Sequence, residues 1–191
     1  MEIQNLLPDT TRESLREWLA EHSTTENCCW VIVSIVPEPG KLLYLDAVEE
    51  ALCVGWIDGI KKKLSASDAG IAQRLSPRNK NSSWTELNKE RVRRLERMGL
   101  MRDEGRKVLP DMSPEAFRID PVIWQRLQEE EAVYGNFLTF PELYRRIRID
   151  TIQSYKHQPE LFRSRLDKFI ANTRENKMVG QWHDNGRLLE E

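Results

Sequence analysis

Hydrophobic side chains near the start of the chain recur at two different spacings. Leu15, Trp18 and Leu19 fall on one face of a helix, which predicts an amphipathic helix over residues 11–21. Residues 29–36 form an unbroken apolar run rich in β-branched side chains and ended by a proline. Such a run predicts a strand that is covered on both faces and central in its sheet.

Two further segments have helical periodicity. Residues 45–52 predict a helix whose apolar side chains lie on one side. Its acidic side chains lie on the other side: Asp46, Glu49 and Glu50. Residues 84–98 predict a longer helix, preceded by the spacing Ser83-x-x-Glu86 that is typical of a capping box. In that arrangement the serine hydroxyl and the glutamate carboxylate each accept a hydrogen bond from a free N–H of the first turn.

Between these two helices the pattern changes to that of strands. Residues 56–64 predict a strand in which Ile60, Lys62 and Leu64 share a face, and residues 71–75 predict another in which Ile71 and Leu75 share a face. The polar, glycine-containing segment 65–70 separates them, so we expect an antiparallel hairpin.

The second half of the chain has helical patterns separated by prolines. We expect helices near residues 121–133, 141–156 and 159–174, each with a proline where a first helical turn tolerates it. The closing segment 176–191 has turn residues and one tryptophan, and it is expected to pack back onto the body. The prediction is therefore an α+β domain over residues 1–110 and a helical segment over residues 111–191.

Composition excludes several classes of protein. Hydrophobic residues make up 39% and charged residues 31% of the chain, as in an ordinary globular protein. No apolar run is long enough to span a membrane and the first residues lack the pattern of a signal peptide, so we expect a cytoplasmic location. The three cysteines form no C-x-x-C pair, and no phosphate-binding glycine loop is present. We therefore predict no metal and no cofactor.

Charge is distributed unevenly along the chain. Residues 1–60 carry a net charge of −8, residues 61–107 carry +8 and residues 108–191 carry −2. The basic middle segment predicts an anionic partner such as a phosphorylated ligand or nucleic acid. The alternative is that the acidic first segment folds against the basic one and the two charges cancel.

Candidate ligand-binding residues concentrate at the junction of the hairpin and the next helix. They combine aromatic rings, charges and amides: Trp56, Asp58, Arg74, Arg78, Ser82, Trp84 and Asn88. Arg78 precedes a helix N-terminus and is the best phosphate candidate. For Arg78 the alternative is a structural salt bridge, and for the two tryptophans it is a place in the core.

The same region resembles a known family. The motifs that carry the resemblance are Ala51-Leu52-Cys53-Val54-Gly55-Trp56-Ile57-Asp58-Gly59, Ser76-Pro77-Arg78, Ser82-x-Trp84, Asn88 and Gly99-x-Met101. They are similar to the bacterial YdeI/OmpD-associated family, also described as bacteriocin-protection proteins, over residues 11 to about 105. The likeness is looser over the back half, where Tyr144-Arg145-Arg146-x-Arg148 resembles a helical segment of some relatives.

This resemblance implies a fold and a broad role. The implied fold is that of the YjbR/CyaY-like superfamily, a twisted antiparallel sheet flanked by helices, with the helical segment added. The implied role is in stress or bacteriocin tolerance. Some relatives carry a thymidylate synthase label, but that activity is not expected here because Cys53 lies in Leu-Cys-Val-Gly-Trp and not in the Pro-Cys-His setting that the enzyme needs.

Three hypotheses about function follow. The first is a non-enzymatic binding protein for an anionic partner, with no catalytic residue assigned. The second is a small enzyme acting on a nucleotide or phosphorylated metabolite, with Asp58 as general base and Arg78 holding the anion, which requires both in one cleft. The third is a structural or interaction protein in which the motif is mostly core. The oligomeric state is left open by the sequence.

Overall fold

The computed structural model of the chain describes residues 2–64, 70–79 and 81–189. Its contacts divide the described chain into two compact units. The first unit consists of the described residues within 1–83 and 91–110. The second unit consists of the described residues within 84–90 and 111–189. The boundary predicted between residues 110 and 111 stays a prediction. None of the described helices is long and apolar enough to cross a membrane.

The first unit is built from a sheet and helices. Its strands are β1 (Leu6–Leu7), β2 (Cys29–Ser34), β3 (Leu42–Leu43), β4 (Trp56–Lys63) and β5 (Ile71–Pro77). Its helices are α1 (Arg12–His22), α2 (Tyr44–Cys53), the last part of α3 (Glu86–Arg97), and α4 (Asp103–Arg106). The predicted α+β class is confirmed. The predicted loop 65–70 lies, except for its last residue, outside the described residues.

The sheet is mixed and not purely antiparallel. β2 pairs antiparallel with β5, and β5 pairs antiparallel with β4, as the hairpin prediction requires. β1 and β3 both pair with β2 in parallel. The sequence could not reveal these two partners because each is only two residues long, which is too short for a period to appear. β2 is central, as predicted, and all but one of its residues are buried.

The core of the first unit lies between the sheet and the helices α1 and α2. Leu15 and Leu19 of α1 are buried against the alternate side chains of β2 that face them, Cys29, Val31 and Val33. α1 begins after Thr11, whose hydroxyl accepts a hydrogen bond from the N–H of Ser14. The apolar periodicity of the sequence therefore predicted the packed face of α1 correctly.

A β-bulge interrupts the pairing of β4 with β5, between Asp58 and Lys61. Gln73 of β5 is fully buried beside it. Its amide nitrogen donates to the backbone oxygen of Gly59 at 2.9 Å and also faces that of Ile60 at 3.4 Å. The buried amide of Gln73 thus supplies a hydrogen-bond donor to backbone oxygens at the bulge, where the strand pairing is irregular.

α2 ends in close contact with α4. Gly55 has a φ of +77°, a conformation that glycine adopts without strain just past a helix end. Gly105 of α4 faces Cys53, the last residue of α2, so closely that a Cβ at position 105 would lie 2.3 Å from the Cys53 carbonyl oxygen. That same oxygen accepts a hydrogen bond from the N–H of Arg102 at 2.9 Å. Only glycine fits at position 105.

The second unit is helical. It contains the start of α3, α5 (Pro121–Gln128), α6 (Glu131–Thr139), α7 (Glu142–Gln153) and α8 (Pro159–Arg174), with short 3-10 turns at Pro114–Ala116 and Asp184–Leu189. The single helix predicted over residues 121–133 is wrong. The backbone of Glu130 is extended there, and it separates α5 from α6.

The capping box predicted for α3 is also wrong. The helix begins at Glu86, and the residue before it, Thr85, accepts a hydrogen bond from the N–H of Asn88. The N–H of Glu86 donates to the carboxylate of Asp150 at 2.9 Å, so Ser83 is not needed as its acceptor. Asp150 lies 64 positions further along the chain, and no local pattern could have indicated it.

A second hydrophobic core fills the helical unit. Tyr144 and Phe169 are buried at its centre, with Phe137 and Phe140 packed edge-on against them. The closing segment packs into the same core through Trp182, whose ring lies 5.5 Å from that of Tyr144. The N–H of Val179 donates to the Tyr144 hydroxyl, which fixes this segment along α7.

Candidate functional site

The structure distributes the seven candidate residues over both units. Five lie in the first unit: Trp56, Asp58, Arg74, Arg78 and Ser82. Trp84 and Asn88 lie in the second. The side chains of Ser82, Trp84 and Asn88 are all half-buried. The assignment of the seven as one ligand-binding group stays a prediction.

Trp56 occupies the core of the first unit. It is 1% exposed and packs edge-on against Trp18. Its indole N–H donates to the backbone oxygen of Ser23 at 3.0 Å. Every part of the ring is therefore engaged within the protein, which favours the structural interpretation of this tryptophan.

Asp58 and Arg78 lie near one another. The hydroxyl of Tyr44 donates to the Asp58 carboxylate at 2.6 Å, and the ammonium of Lys61 lies 3.8 Å from the centre of the Tyr44 ring. Burial lowers the pKa of Arg78, and the negative charge of Asp58 opposes that effect. Arg78 also donates to the backbone oxygen of Ser83 at 2.9 Å. A carboxylate, a phenol and two cations thus gather around the start of β4.

Arg74 faces the other side of the sheet. Asp58 pairs with Leu75, which is buried in the core beneath the helices. Because successive side chains of a strand alternate, Arg74 points to the opposite face, where it donates to the Ser76 hydroxyl at 2.9 Å. The structure therefore brings Asp58 and Arg78 together but leaves Arg74 apart from them.

A buried charge network that the sequence did not predict joins α1 to α2. Arg12 donates to three carboxylates, those of Asp46, Glu49 and Glu50, at 2.6 to 2.8 Å. The Glu49 and Glu50 side chains are only 2 to 3% exposed. The acidic side of α2 is thus largely buried. It can be buried because arginines of other helices neutralise its carboxylates.

Two more arginines complete this network. Arg16 pairs with Glu50 at 2.7 Å, and Arg94 pairs with Glu49 at 3.2 Å. Burial opposes the charge on Arg12, but the hydrogen bond to Glu50 and the surrounding carboxylates outweigh it and raise the Arg12 pKa. Because Arg94 belongs to the basic middle segment, part of that segment's charge is cancelled by the acidic first segment, as the alternative interpretation held.

Two of the three cysteines, Cys29 and Cys53, are not activated nucleophiles. All three are free thiols. Burial raises the pKa of Cys29 and of Cys53 to about 12, so both thiols are protonated at neutral pH. Within the part of the chain that the structure describes, no group of three or more histidine, cysteine or acidic side chains is arranged to hold a metal ion.

The second unit contains a pocket with a basic lining. It has a volume of about 400 Å³ and lies between α7, α8 and the closing segment. Three of its lining side chains are cationic: Arg148, Arg165 and Lys168. The others are small or apolar: Thr151, Ile152, Leu161, Phe169, Val179 and Gly180. The lining therefore carries three positive charges and no carboxylate.

The three cations of this pocket are not neutralised by the protein. Within residues 2–64, 70–79 and 81–189, their side chains make no ion pair and no hydrogen bond. Arg165 instead lies 4.1 Å over the ring of Tyr155. The guanidinium of Arg148 lies against Gly180, where a Cβ would come within 2.6 Å of it.

This pocket was not predicted, although the spacing of charged residues in the sequence contains a signal for it. In α7 and α8 neither Arg148 nor Arg165 nor Lys168 has an acidic residue three or four positions away on either side. Surface helices usually place such partners at that spacing. Arg146, by contrast, has Glu142 four positions before it and pairs with it in the structure at 3.7 Å.

Comparison with known protein families gives two matches. Residues 7–108, more than half of the chain, match the model of the Domain of unknown function (DUF8412). The chain belongs to the DUF8412 family. Residues 116–176 of this DUF8412 protein match the model described as Bacteriocin-protection, YdeI or OmpD-Associated. No curated protein and no solved structure matches the chain.

The second match confirms the resemblance to the YdeI/OmpD-associated family. The match falls on the helical back half of the DUF8412 protein, where the likeness was expected to be looser, and not on residues 11 to about 105. The YjbR/CyaY-like superfamily is not confirmed. α7 and α8, which carry the three cations of the pocket, lie within residues 116–176, while Val179 and Gly180 lie beyond them.

Proposed function

We propose that this DUF8412 protein is a non-enzymatic binding protein for a small anionic ligand. The observation that carries the proposal is the pocket of the second unit, where Arg148, Arg165 and Lys168 stand together without a carboxylate. Uncompensated positive charges repel one another and raise the free energy of the folded state. A bound anion would relieve that repulsion and would gain charge-assisted hydrogen bonds.

The size of the pocket favours a phosphorylated metabolite or a comparable small anion. At about 400 Å³ it lies near the lower end of the volumes that hold small ligands. Nucleic acid is the alternative partner, and it would have to bind across a wider surface. The two differ in salt dependence, because a nucleic-acid complex that releases several counterions weakens steeply as salt rises.

We also propose that the protein acts in the cytoplasm and contributes to bacteriocin or stress tolerance. Three free thiols fit a reducing compartment. The tolerance role is supported by the description of the family that matches residues 116–176. Deleting the gene in its host and challenging the cells with a bacteriocin tests it. Unchanged survival would contradict this part of the proposal.

The binding proposal predicts the outcome of a titration with inorganic phosphate. At constant ionic strength, phosphate should bind the full chain and raise its melting temperature by mass action. The double variant Arg148→Gln, Lys168→Gln should weaken binding by at least about tenfold, since two charge-assisted contacts are lost. Isothermal titration calorimetry measures the affinity directly.

Lys177→Gln provides the matched control. It removes one positive charge from the same unit, but Lys177 is exposed and pairs with Glu175 at 2.6 Å outside the pocket. Phosphate affinity should be unchanged in this variant. An equal loss of affinity in the control and in the double variant would mean that net charge, and not the pocket, governs binding.

Catalysis at the first unit is a second candidate function. The observation that favours it is the proximity of Asp58 to Arg78, with Tyr44 donating to the Asp58 carboxylate at 2.6 Å. In this proposal Asp58 acts as a general base and Arg78 holds a phosphorylated substrate. Their proximity supports the arrangement in one cleft that this hypothesis requires.

Assays with a panel of nucleotides and phosphate esters test the second candidate. Asp58→Asn keeps the shape of the side chain and removes the base, so any turnover should fall by about 100-fold or more. Ser76→Ala, on the opposite face of the sheet, should leave turnover unchanged. Turnover that survives in Asp58→Asn would exclude Asp58 as the base, and no turnover by the native chain would exclude catalysis of these reactions.

A further inference from the structure

The lining of the basic pocket of the second unit combines charged and apolar side chains. Arg148, Arg165 and Lys168 carry the charge, and Leu161, Ile152, Phe169 and Val179 provide apolar surface. Leu161 is 36% exposed, whereas Ile152 and Phe169 are buried. Apolar surface in the same pocket as cations that make no ion pair is suited to a ligand that has both an anionic and an apolar part.

The two arginines contact other groups of the protein and no acidic side chain. Arg165 lies 4.1 Å over the ring of Tyr155. The guanidinium of Arg148 lies close to the backbone of Gly180, where the lack of a side chain leaves room for it. Because neither guanidinium is paired with a carboxylate among the described residues, the N–H groups of both are available to an anion.

The charge on the lining indicates which anionic group fits best. A phosphate monoester carries about −1.5 to −2 at neutral pH and three acceptor oxygens, so it balances three cations better than a single carboxylate does. Thr151 adds no side-chain donor, because its hydroxyl already donates to the backbone oxygen of Ile147 at 2.8 Å. The side-chain donors that the lining offers to an anion are therefore the three cations.

We infer that the ligand of this pocket is a small phosphate monoester with a compact apolar or aromatic body. The phosphate lies among Arg148, Arg165 and Lys168, and the body covers Leu161 and the apolar surface beside it. This inference rests on the proposed function of the same pocket and specifies its ligand class. The closing segment contributes the wall at Val179 and Gly180, which lies outside the range matched by the YdeI/OmpD-associated family.

Phenyl phosphate, inorganic phosphate and phenol are the probes that test the inference. The full chain should bind phenyl phosphate roughly tenfold more tightly than phosphate, because the ring removes apolar surface from water. Phenol alone should not bind measurably. Leu161→Asn should remove most of the advantage of phenyl phosphate and leave the affinity for phosphate unchanged.

Leu138→Asn is the matched control. It replaces another exposed leucine of this unit, which is 47% exposed and lies outside the pocket, and it should change neither affinity. Equal affinities for phosphate and phenyl phosphate would overturn the inference while the proposed anion binding stands. If neither probe binds, both fail. Loss of phosphate affinity in Leu161→Asn would also overturn the inference that Leu161 contacts only the apolar body of the ligand.

Discussion

Arg12→Met should destabilise the protein by about 3 kcal/mol or more, the loss typical when one partner of a buried ion pair is removed. Arg12 is the residue that contacts all three carboxylates of α2, including the buried Glu49 and Glu50. Methionine keeps much of the apolar stem but removes the one guanidinium described in contact with all three carboxylates, while Arg16 still pairs with Glu50 and Arg94 with Glu49. Urea unfolding followed by circular dichroism measures the change.

Arg106→Met is the control for this prediction. Arg106 also contacts two carboxylates, those of Glu96 and Asp103, but all three side chains are well exposed. Water already solvates these charges, so the unfolding midpoint should remain close to that of the native chain. Equal midpoints for Arg12→Met and Arg106→Met would show that burial of the α2 carboxylates contributes nothing to stability.

Gly105→Ala should destabilise the first unit by about 3 kcal/mol, the upper range for overpacking. The added methyl group would lie 2.3 Å from the backbone oxygen of Cys53, and backbone cannot move aside as a side chain can. α4 would have to move away from the end of α2. The hydrogen bond from Arg102 to the Cys53 oxygen would then be strained or lost. Differential scanning calorimetry measures the change.

Gly135→Ala gives the contrasting result. Gly135 lies within α6, and a Cβ at that position would meet no atom within 4 Å. Alanine should therefore raise stability by about 0.5 to 1 kcal/mol, because it restricts the unfolded chain and favours the helix. If both alanine variants lowered stability alike, the close contact of Gly105 would not be the cause.

Local patterns predicted the elements whose signals lie within their own residues. α8 was predicted over residues 159–174, as observed, because a proline stands in its first turn and its apolar periodicity is continuous. β2 was identified as central by its unbroken apolar run. The break between α5 and α6 was missed because no glycine or proline marks it, although the backbone of Glu130 is extended there.

The chemistry of the molecule was harder to predict than its elements. The sequence predicted an acidic side of α2, but the pattern of a single helix does not reveal that Arg12 and Arg94 reach that side from other helices. Asp58 and Arg78 were proposed together and are found near one another. The basic character of the pocket could have been inferred, because its three cations have no acidic residue three or four positions away in their helices. That Gly180 of the closing segment lines the same pocket depends on tertiary structure.

The buried amide of Gln73 has a consequence for how the hairpin forms. A slip of one residue between β4 and β5 would turn this side chain to the opposite face and place Ala72 or Arg74 beneath the bulge. Alanine has no side-chain donor and arginine would bring a charge into the core, whereas the glutamine donates to the Gly59 oxygen as a neutral amide. One polar residue inside the core thus favours the native register of β4 and β5. Misaligned pairings would bury backbone polar groups without hydrogen bonds, which raises their free energy during folding.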